Sequence, residues 1–286
     1  MSLALLAVPI RVASPYLTRL DPGLVWSVAL LAALVYAVRS ARRSGLDERR
    51  MYWAVVCSIL VGFWGAHLLS LLVHGWSGGP LALFQFVQGG KSLYGGLLTG
   101  GVAAGLYFHL RKLPVLAYAD AGMPALALGY AVGRIGCFLN GDDYGALTHV
   151  RWAVVYPPGT EAYQAHLARG WISPADPWSL PIHPVQLYAS LLGLALFFLL
   201  ANWRSARPGT RFCAYLVLYG VGRFFMEYLR GDFRSVFGPL SLPQLFSVAF
   251  IFVGAGIWFH KVRDQERKTS DNPGTDSADV LHLAAP

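Results

Sequence analysis

Seven apolar stretches, each close to the ~20 residues that a helix needs to cross a hydrocarbon core of about 30 Å, constrain this chain more than any other feature. They run from Gly23 to Val38, Met51 to Val73, Leu93 to Leu110, Pro114 to Leu139, Val185 to Trp203, Phe212 to Leu229 and Leu242 to His260. Composition points the same way: 55% of the 286 residues are hydrophobic and 13% are charged, well outside the soluble globular range. The expected fold is an all-α integral membrane protein, with seven transmembrane helices and a small extracytoplasmic head domain.

In a soluble protein a net charge of +8 would suggest nucleic acid as a partner, but here the charge is distributed by side. With seven spans, the segments Arg39 to Arg50, Arg111 with Lys112, Trp203 to Arg211 and the tail from Lys261 fall on one face and hold 14 of the 23 Lys and Arg residues. The positive-inside rule makes that face cytoplasmic. The N-terminus is then expected outside and the C-terminus inside, with the lipid bilayer rather than nucleic acid as the partner.

The connections set the expected domain organisation. Residues 1–20 read as an extracytoplasmic arm on the membrane surface, because Ser2 to Ile10 is apolar but lacks a basic n-region and a cleavage site. Residues 21–140 hold spans one to four, with a glycine-rich interfacial arm at 74–91 that carries Phe84 and Phe86. The insert at 141–184 contains several acidic residues and prolines and a β-prone run from Val150 to Tyr156, which suggests the head domain. Spans five to seven occupy 185–260, and the polar segment 261–286 reads as a disordered cytoplasmic tail. Cys57, Cys137 and Cys213 all fall within spans, so no disulfide framework is expected. The eight histidines show no metal-ligand spacing, and neither a metal nor a cofactor is expected.

Charges inside such segments cost a few kcal/mol each, roughly 2.5–3.5 on the most lenient scale, unless they are paired or meet a polar ligand. Tyr219, Arg223, Glu227 and Arg230 recur at intervals of four, four and three, which places them on one helical face. They read either as an intrahelical ion pair that reaches to the interface or as a charged stripe lining a cavity. In the second case one Glu cannot neutralise two Arg residues, and the surplus positive charge invites an anion such as phosphate. Span four ends in the glycine-rich run Gly133 to Gly145, with Arg134 within two turns of the same membrane edge. These glycines serve either close helix packing or the approach of a ligand. Tyr94-Gly95-Gly96 opens span three, where helix amides favour an anion. His183-Pro184-Val185-Gln186-Leu187-Tyr188 opens span five.

In this order, with Ser241-x-x-Gln244, the motifs resemble those of prolipoprotein diacylglyceryl transferases, across residues 20 to 260. The resemblance implies transfer of diacylglyceryl from phosphatidylglycerol to the lipobox cysteine of a prolipoprotein signal peptide in a bacterial cytoplasmic membrane, with release of glycerol 1-phosphate. It also implies that Arg134 and Arg223 hold the phospholipid head. Glu227 and Arg230 would orient them, Asn140 and Asp142 would shape the outer mouth, Gly95, Gly96, Gln186 and Tyr188 would belong to the substrate site, and Tyr94 or His183 would assist removal of the thiol proton. The chain departs from the family pattern at five places, one of them near the first span, where the family has a tyrosine and the nearest aromatic here is Trp26. Tyr94 stands where the family usually has His, Cys137 where it has Asn, Asp142 where it has Glu, and Ala189 where it has Glu. The alternatives are a phospholipid-binding paralogue without this reaction, and a permease, which would need polar residues near both membrane faces.

Overall fold

The computed structural model describes residues 9–12, 22–74, 93–203, 207–232 and 235–271. Eight helices dominate it: α1 (Pro22–Arg43), α2 (Glu48–His74), α3 (Leu93–Leu110), α4 (Val115–Asn140), α5 (Glu161–Ala168), α6 (Val185–Asn202), α7 (Thr210–Met226) and α8 (Leu242–Asp271). Six of them, α1, α2, α4, α6, α7 and α8, are long and apolar enough to cross a membrane. Their outward faces carry exposed Leu31, Leu60, Leu191, Phe225 and Phe252, as helices facing lipid should. The chain is thus a mostly helical, multi-pass membrane protein. The segment expected as an interfacial arm, 74–91, lies almost wholly outside the described residues.

Helix ends follow local chemistry. α1 continues past Val38 to Arg43, closing with Arg42 and Arg43 where cations complement the helix dipole. Asp47 then starts α2, its Oδ1 accepting the amides of Arg49 at 2.9 Å and Arg50 at 3.1 Å. α4 stops at Gly141, whose φ of 74° closes a left-handed cap on the Cys137 carbonyl. Within α4, Asp120 accepts the amides of Gly209 at 2.7 Å and Phe212 at 2.8 Å, fixing the start of α7 from a remote helix. α8 runs on to Asp271. Eleven residues of the expected disordered tail, 261–271, are therefore helical, which suits a stretch rich in Lys, Arg, Glu and Gln.

Small residues bring the helices together. α4 is central and packs on α1, α6 and α7, while α2 pairs with α3 and α7 with α8. Gly193 of α6 lies so close to α4 that a Cβ there would stand 2.9 Å from Ala131 Cβ, and a Cβ on Gly133 of α4 would stand 2.8 Å from the Trp26 ring of α1. The glycines of the Gly133 to Gly145 run that lie inside α4 therefore serve helix packing.

Between α4 and α6 the chain builds a small unit around Tyr144, Val154, Tyr156, Ala162 and Ile182, all buried. Of the β-prone run only β2 (Val154–Val155) forms. It pairs in parallel with β1 (Ile10–Arg11), and Val154 also bridges Ile182. The described part of the N-terminal arm, residues 9–12, is therefore tied to this unit by backbone hydrogen bonds. Beyond α7, a 3-10 turn (Glu227–Leu229) leads to a second two-stranded sheet of β3 (Ser235–Phe237) and β4 (Leu240–Ser241), which starts α8.

Candidate active site

The segments that follow α4 and α7 are stitched together at one end of the bundle. Gly145 bridges Arg230, the Ala146 amide donates to the Leu229 carbonyl at 2.8 Å, and the Gly231 amide donates to the Tyr144 carbonyl at 3.0 Å. The close approach requires glycine: a Cβ on Gly231 would meet the Gly145 carbonyl and the Tyr144 ring.

That stitching assembles a chain of ion pairs. Arg134 of α4 is 7% exposed. Its Nη1 donates to Asp143 Oδ2 at 2.6 Å, and its guanidinium sits 5.2 Å above the centre of the Tyr130 ring. The other oxygen of Asp143 accepts from Arg230 Nη2 at 2.6 Å, and Arg230 also donates to both oxygens of Asp232. One helix away, Arg223 Nη1 lies 2.6 Å from Glu227 Oε2, with both side chains about 5% exposed or less. Glu227 Oε2 is also 3.9 Å from Arg230 Nε. Behind it, the Ser241 hydroxyl donates to Glu227 Oε1 at 2.8 Å, and the Ser241 amide donates to Gln244 Oε1 at 3.0 Å.

These contacts correct two expectations. The charged residues do not share one helical face: α7 ends at Met226, Glu227 stands in the 3-10 turn and Arg230 is in extended backbone. Tightening of the last turn swings Arg230 towards Asp143. Nor do these side chains carry surplus positive charge among the described residues, because Arg134, Arg223 and Arg230 are met by Asp143, Glu227 and Asp232. Sequence reading missed Asp143 and Asp232, which reach their partners only through tertiary contacts.

Burial would push the Asp143 carboxyl up, but Arg134 and Arg230 outweigh it and hold the group well below the usual carboxylate range. Its neighbour behaves oppositely. Burial raises Asp142, despite the hydrogen bond that Asn140 donates to its Oδ2 at 2.8 Å. Cys137, Asp142 and Asp143 place potential ligand atoms within 4.8 Å of one another. Asp143 already bridges two guanidinium groups, so a metal cation there would meet their positive charge.

Arg134, Arg223, Arg230 and Asp143 line one cavity of about 10 Å³ with Tyr130 and Gln186. Tyr130 is a further residue that the sequence did not single out. Its hydroxyl and the Gln186 Oε1 are buried without a hydrogen-bond partner among the described residues. Gln186 Nε2 donates to the Asp142 carbonyl at 2.7 Å, fixing its amide. The space suits a water molecule, and its walls offer guanidinium donors, a phenol and an amide oxygen.

The remaining expected site residues lie elsewhere. His183 Nδ1 is 3.3 Å from the Tyr188 hydroxyl, which accepts from Trp152 Nε1 at 2.6 Å, and neither His183 nor Tyr188 lines the cavity. Burial lowers His183 below its ordinary value. Gly95 and Gly96 face α2: a Cβ on Gly95 would meet the Gly65 carbonyl and stand 2.7 Å from Leu69 Cβ, and one on Gly96 would stand 3.2 Å from the Gly62 carbonyl. Both glycines therefore serve the packing of α3 on α2. Tyr94 lies in the first turn of α3, with its side chain outside the described residues.

A family model described as prolipoprotein diacylglyceryl transferase matches residues 22–260. Among curated relatives, a phosphatidylglycerol–prolipoprotein diacylglyceryl transferase of Geobacter sulfurreducens is 32% identical over 246 residues, covering 81% of this chain and 86% of the relative. The phosphatidylglycerol–prolipoprotein diacylglyceryl transferase 2 of Clostridium perfringens is 28% identical over 245 residues, covering 84% and 89%. The Gloeobacter violaceus protein that carries the first of these names is 35% identical over 187 residues, covering 62% and 63%. The matched stretch takes in all six apolar helices and every member of the ion-pair chain, and the protein belongs to the prolipoprotein diacylglyceryl transferase family.

Proposed function

We propose that this chain transfers the diacylglyceryl group of phosphatidylglycerol to the lipobox cysteine thiol of a prolipoprotein and releases glycerol 1-phosphate. The observation that carries the reading is one small cavity lined by both Arg134 and Arg223, with the Tyr130 hydroxyl and Gln186 Oε1 among its buried polar atoms. In the reaction the cysteine sulfur attacks the glyceryl carbon that bears the phosphate. A carbon–sulfur bond forms, the carbon–oxygen bond breaks, and the electron pair leaves on the phosphate oxygen.

Negative charge grows on that leaving phosphate, and two guanidinium groups are suited to stabilise it. Glu227 holds Arg223, and Arg230 holds Asp143, which in turn holds Arg134. Tyr130 and Gln186 supply hydrogen bonds to the glycerol headgroup. Asn140 and Asp142 shape the mouth, and the thiol proton passes to the neutral imidazole of His183 or, with Tyr94 assisting by hydrogen bonding, to solvent. Because about 10 Å³ admits a water and not a phosphate, binding of the headgroup widens the cavity. In this reading α3 is a seventh span, residues 141–184 form an extracytoplasmic head, and the N-terminus lies outside a bacterial cytoplasmic membrane. The preponderance of Lys and Arg on the opposite connections supports that orientation.

The test is direct. Purified protein given phosphatidylglycerol and a lipobox peptide should release glycerol phosphate and add the diacylglyceryl mass to the peptide, and Arg223→Ala should abolish both. Folded wild-type protein that releases nothing would sink the reading.

A further inference from the structure

A second, larger cavity occupies the other end of the bundle. Arg134 lies near the C-terminal end of α4, whereas residues 111–114 join α3 to the N-terminal end of the same helix. At that far end, where α2 begins and α3 finishes, a groove of about 530 Å³ is lined by Asp47, Arg49, Arg50, Trp53, Cys57, Tyr107 and Arg111. The local sequence explains it. Close packing of α2 on α3 reaches as far as Gly100, where a Cβ would stand 2.8 Å from the Ser58 carbonyl. Between one and two turns further along, the large rings of Trp53 and Tyr107 line the space between the helices, and the groove opens.

Its charge is unbalanced, unlike that of the Arg134 cavity, where Glu227 and Asp232 pair with Arg223 and Arg230 from beyond the lining. Three arginines face one carboxylate. Asp47 caps α2 and lies 3.7 Å from Arg50 Nε, and Arg111 sits 5.8 Å from the centre of the Tyr107 ring. Arg49 has no ion-pair partner among the described residues. Tyr52 and Trp53, 42% and 47% exposed, stand beside it as aromatic residues do at a membrane interface.

We infer that this groove binds the phosphate of an anionic phospholipid headgroup, drawn from the membrane face opposite the Arg134 cavity. Two uncompensated positive charges supply the attraction, the guanidinium forks supply geometry for phosphate oxygens, and the volume suits a headgroup. Exposed Trp53 in the lining and exposed Tyr52 beside it, at the ends of apolar helices, favour a headgroup at the membrane interface over a soluble anion.

Cys57 reports on occupancy. Cys137 and Cys213 are 5% and 2% exposed, whereas Cys57 is partly exposed and lines the groove. Its alkylation would be followed by peptide mass spectrometry on the full chain in phosphatidylcholine nanodiscs, with and without phosphatidic acid, which is not the proposed donor. Phosphatidic acid should slow alkylation several-fold. The double variant Arg49→Gln/Arg111→Gln should weaken that protection by about 25-fold in lipid concentration, roughly fivefold per arginine, while Arg49→Lys/Arg111→Lys should keep most of it. Circular dichroism would confirm that each variant is folded, and Arg134→Ala should leave the protection intact. An unchanged rate with phosphatidic acid, or full protection in the folded Gln variant, would overturn the inference. Equal protection by inorganic phosphate in phosphatidylcholine alone would overturn the lipid assignment in favour of a soluble anion.

Discussion

The Ser241 hydroxyl donates to Glu227 Oε1 at 2.8 Å, while the other oxygen of that carboxylate lies 2.6 Å from Arg223 Nη1. Ser241 and Glu227 are 1% and 3% exposed, so water does not readily replace the hydroxyl. Ser241→Ala therefore leaves a buried carboxylate short of a donor, at a cost of about 1–3 kcal/mol. We expect a lower melting temperature and a transfer rate reduced by roughly an order of magnitude, because Glu227 no longer fixes the Arg223 fork. Ser241→Thr, which keeps the hydroxyl, should recover part of both, as read by thermal unfolding and glycerol phosphate release.

Lysine should not replace either cavity arginine. Arg134 and Arg223 each hold a carboxylate at 2.6 Å while lining the cavity, a task that uses the planar fork and that a point charge cannot share between two anions. Arg134→Lys and Arg223→Lys should each lower kcat on the order of 100-fold. Near-wild-type turnover in either variant would remove that side chain from the transition state.

The two ends of this network differ in how far sequence could reveal them. Arg134 and Arg223 stand out because a guanidinium in an apolar segment needs a partner, and the apolar runs locate the helix ends to within five residues except at the end of α8, which continues through the polar stretch after His260. Asp143 does not stand out. It sits in a polar loop where an acidic residue is unremarkable, and its role depends on a backbone φ of 52° and on the pairing of Gly145 with Arg230 across a long stretch of chain. Tyr130 escaped for the opposite reason: a tyrosine on an apolar helix reads as core until the cavity beside it is seen. The helical-face pattern placed Arg230 on α7 because periodicity carries no sign of the 3-10 turn at Glu227.

Asp143 also gives the network a pH signature. Its carboxyl is held below the ordinary range, so its contribution is fully present above about pH 3.9 and is lost as pH falls through the native value. Asp143→Asn should destabilise the protein by ~1–2 kcal/mol, discounted because the side chain is 36% exposed. The gap from wild type should stay constant between pH 8 and pH 5 and close only in stronger acid. Asp142 carries the opposite sign, since burial raises it and the fold favours its neutral form. Asp142→Asn should therefore be more stable than wild type at pH 8, with the advantage shrinking as wild-type Asp142 takes up its proton. Thermal unfolding across pH would separate these neighbours, and parallel curves for the two variants would contradict the assignment.

Gly95 separates packing from binding. An added methyl would meet the Gly65 carbonyl and stand 3.1 Å from Ala66 Cα. Backbone cannot turn aside as a flexible side chain would, so α2 and α3 must move apart. Gly95→Ala should cost about 1–3 kcal/mol of stability, as overpacking of a tight seam generally does. If Gly95 serves only this seam, the folded fraction of the variant should turn over at the wild-type rate, with unchanged KM for phosphatidylglycerol. A raised KM without loss of stability would instead place Gly95 at the lipid headgroup, and would require α3 to face the Arg134 cavity.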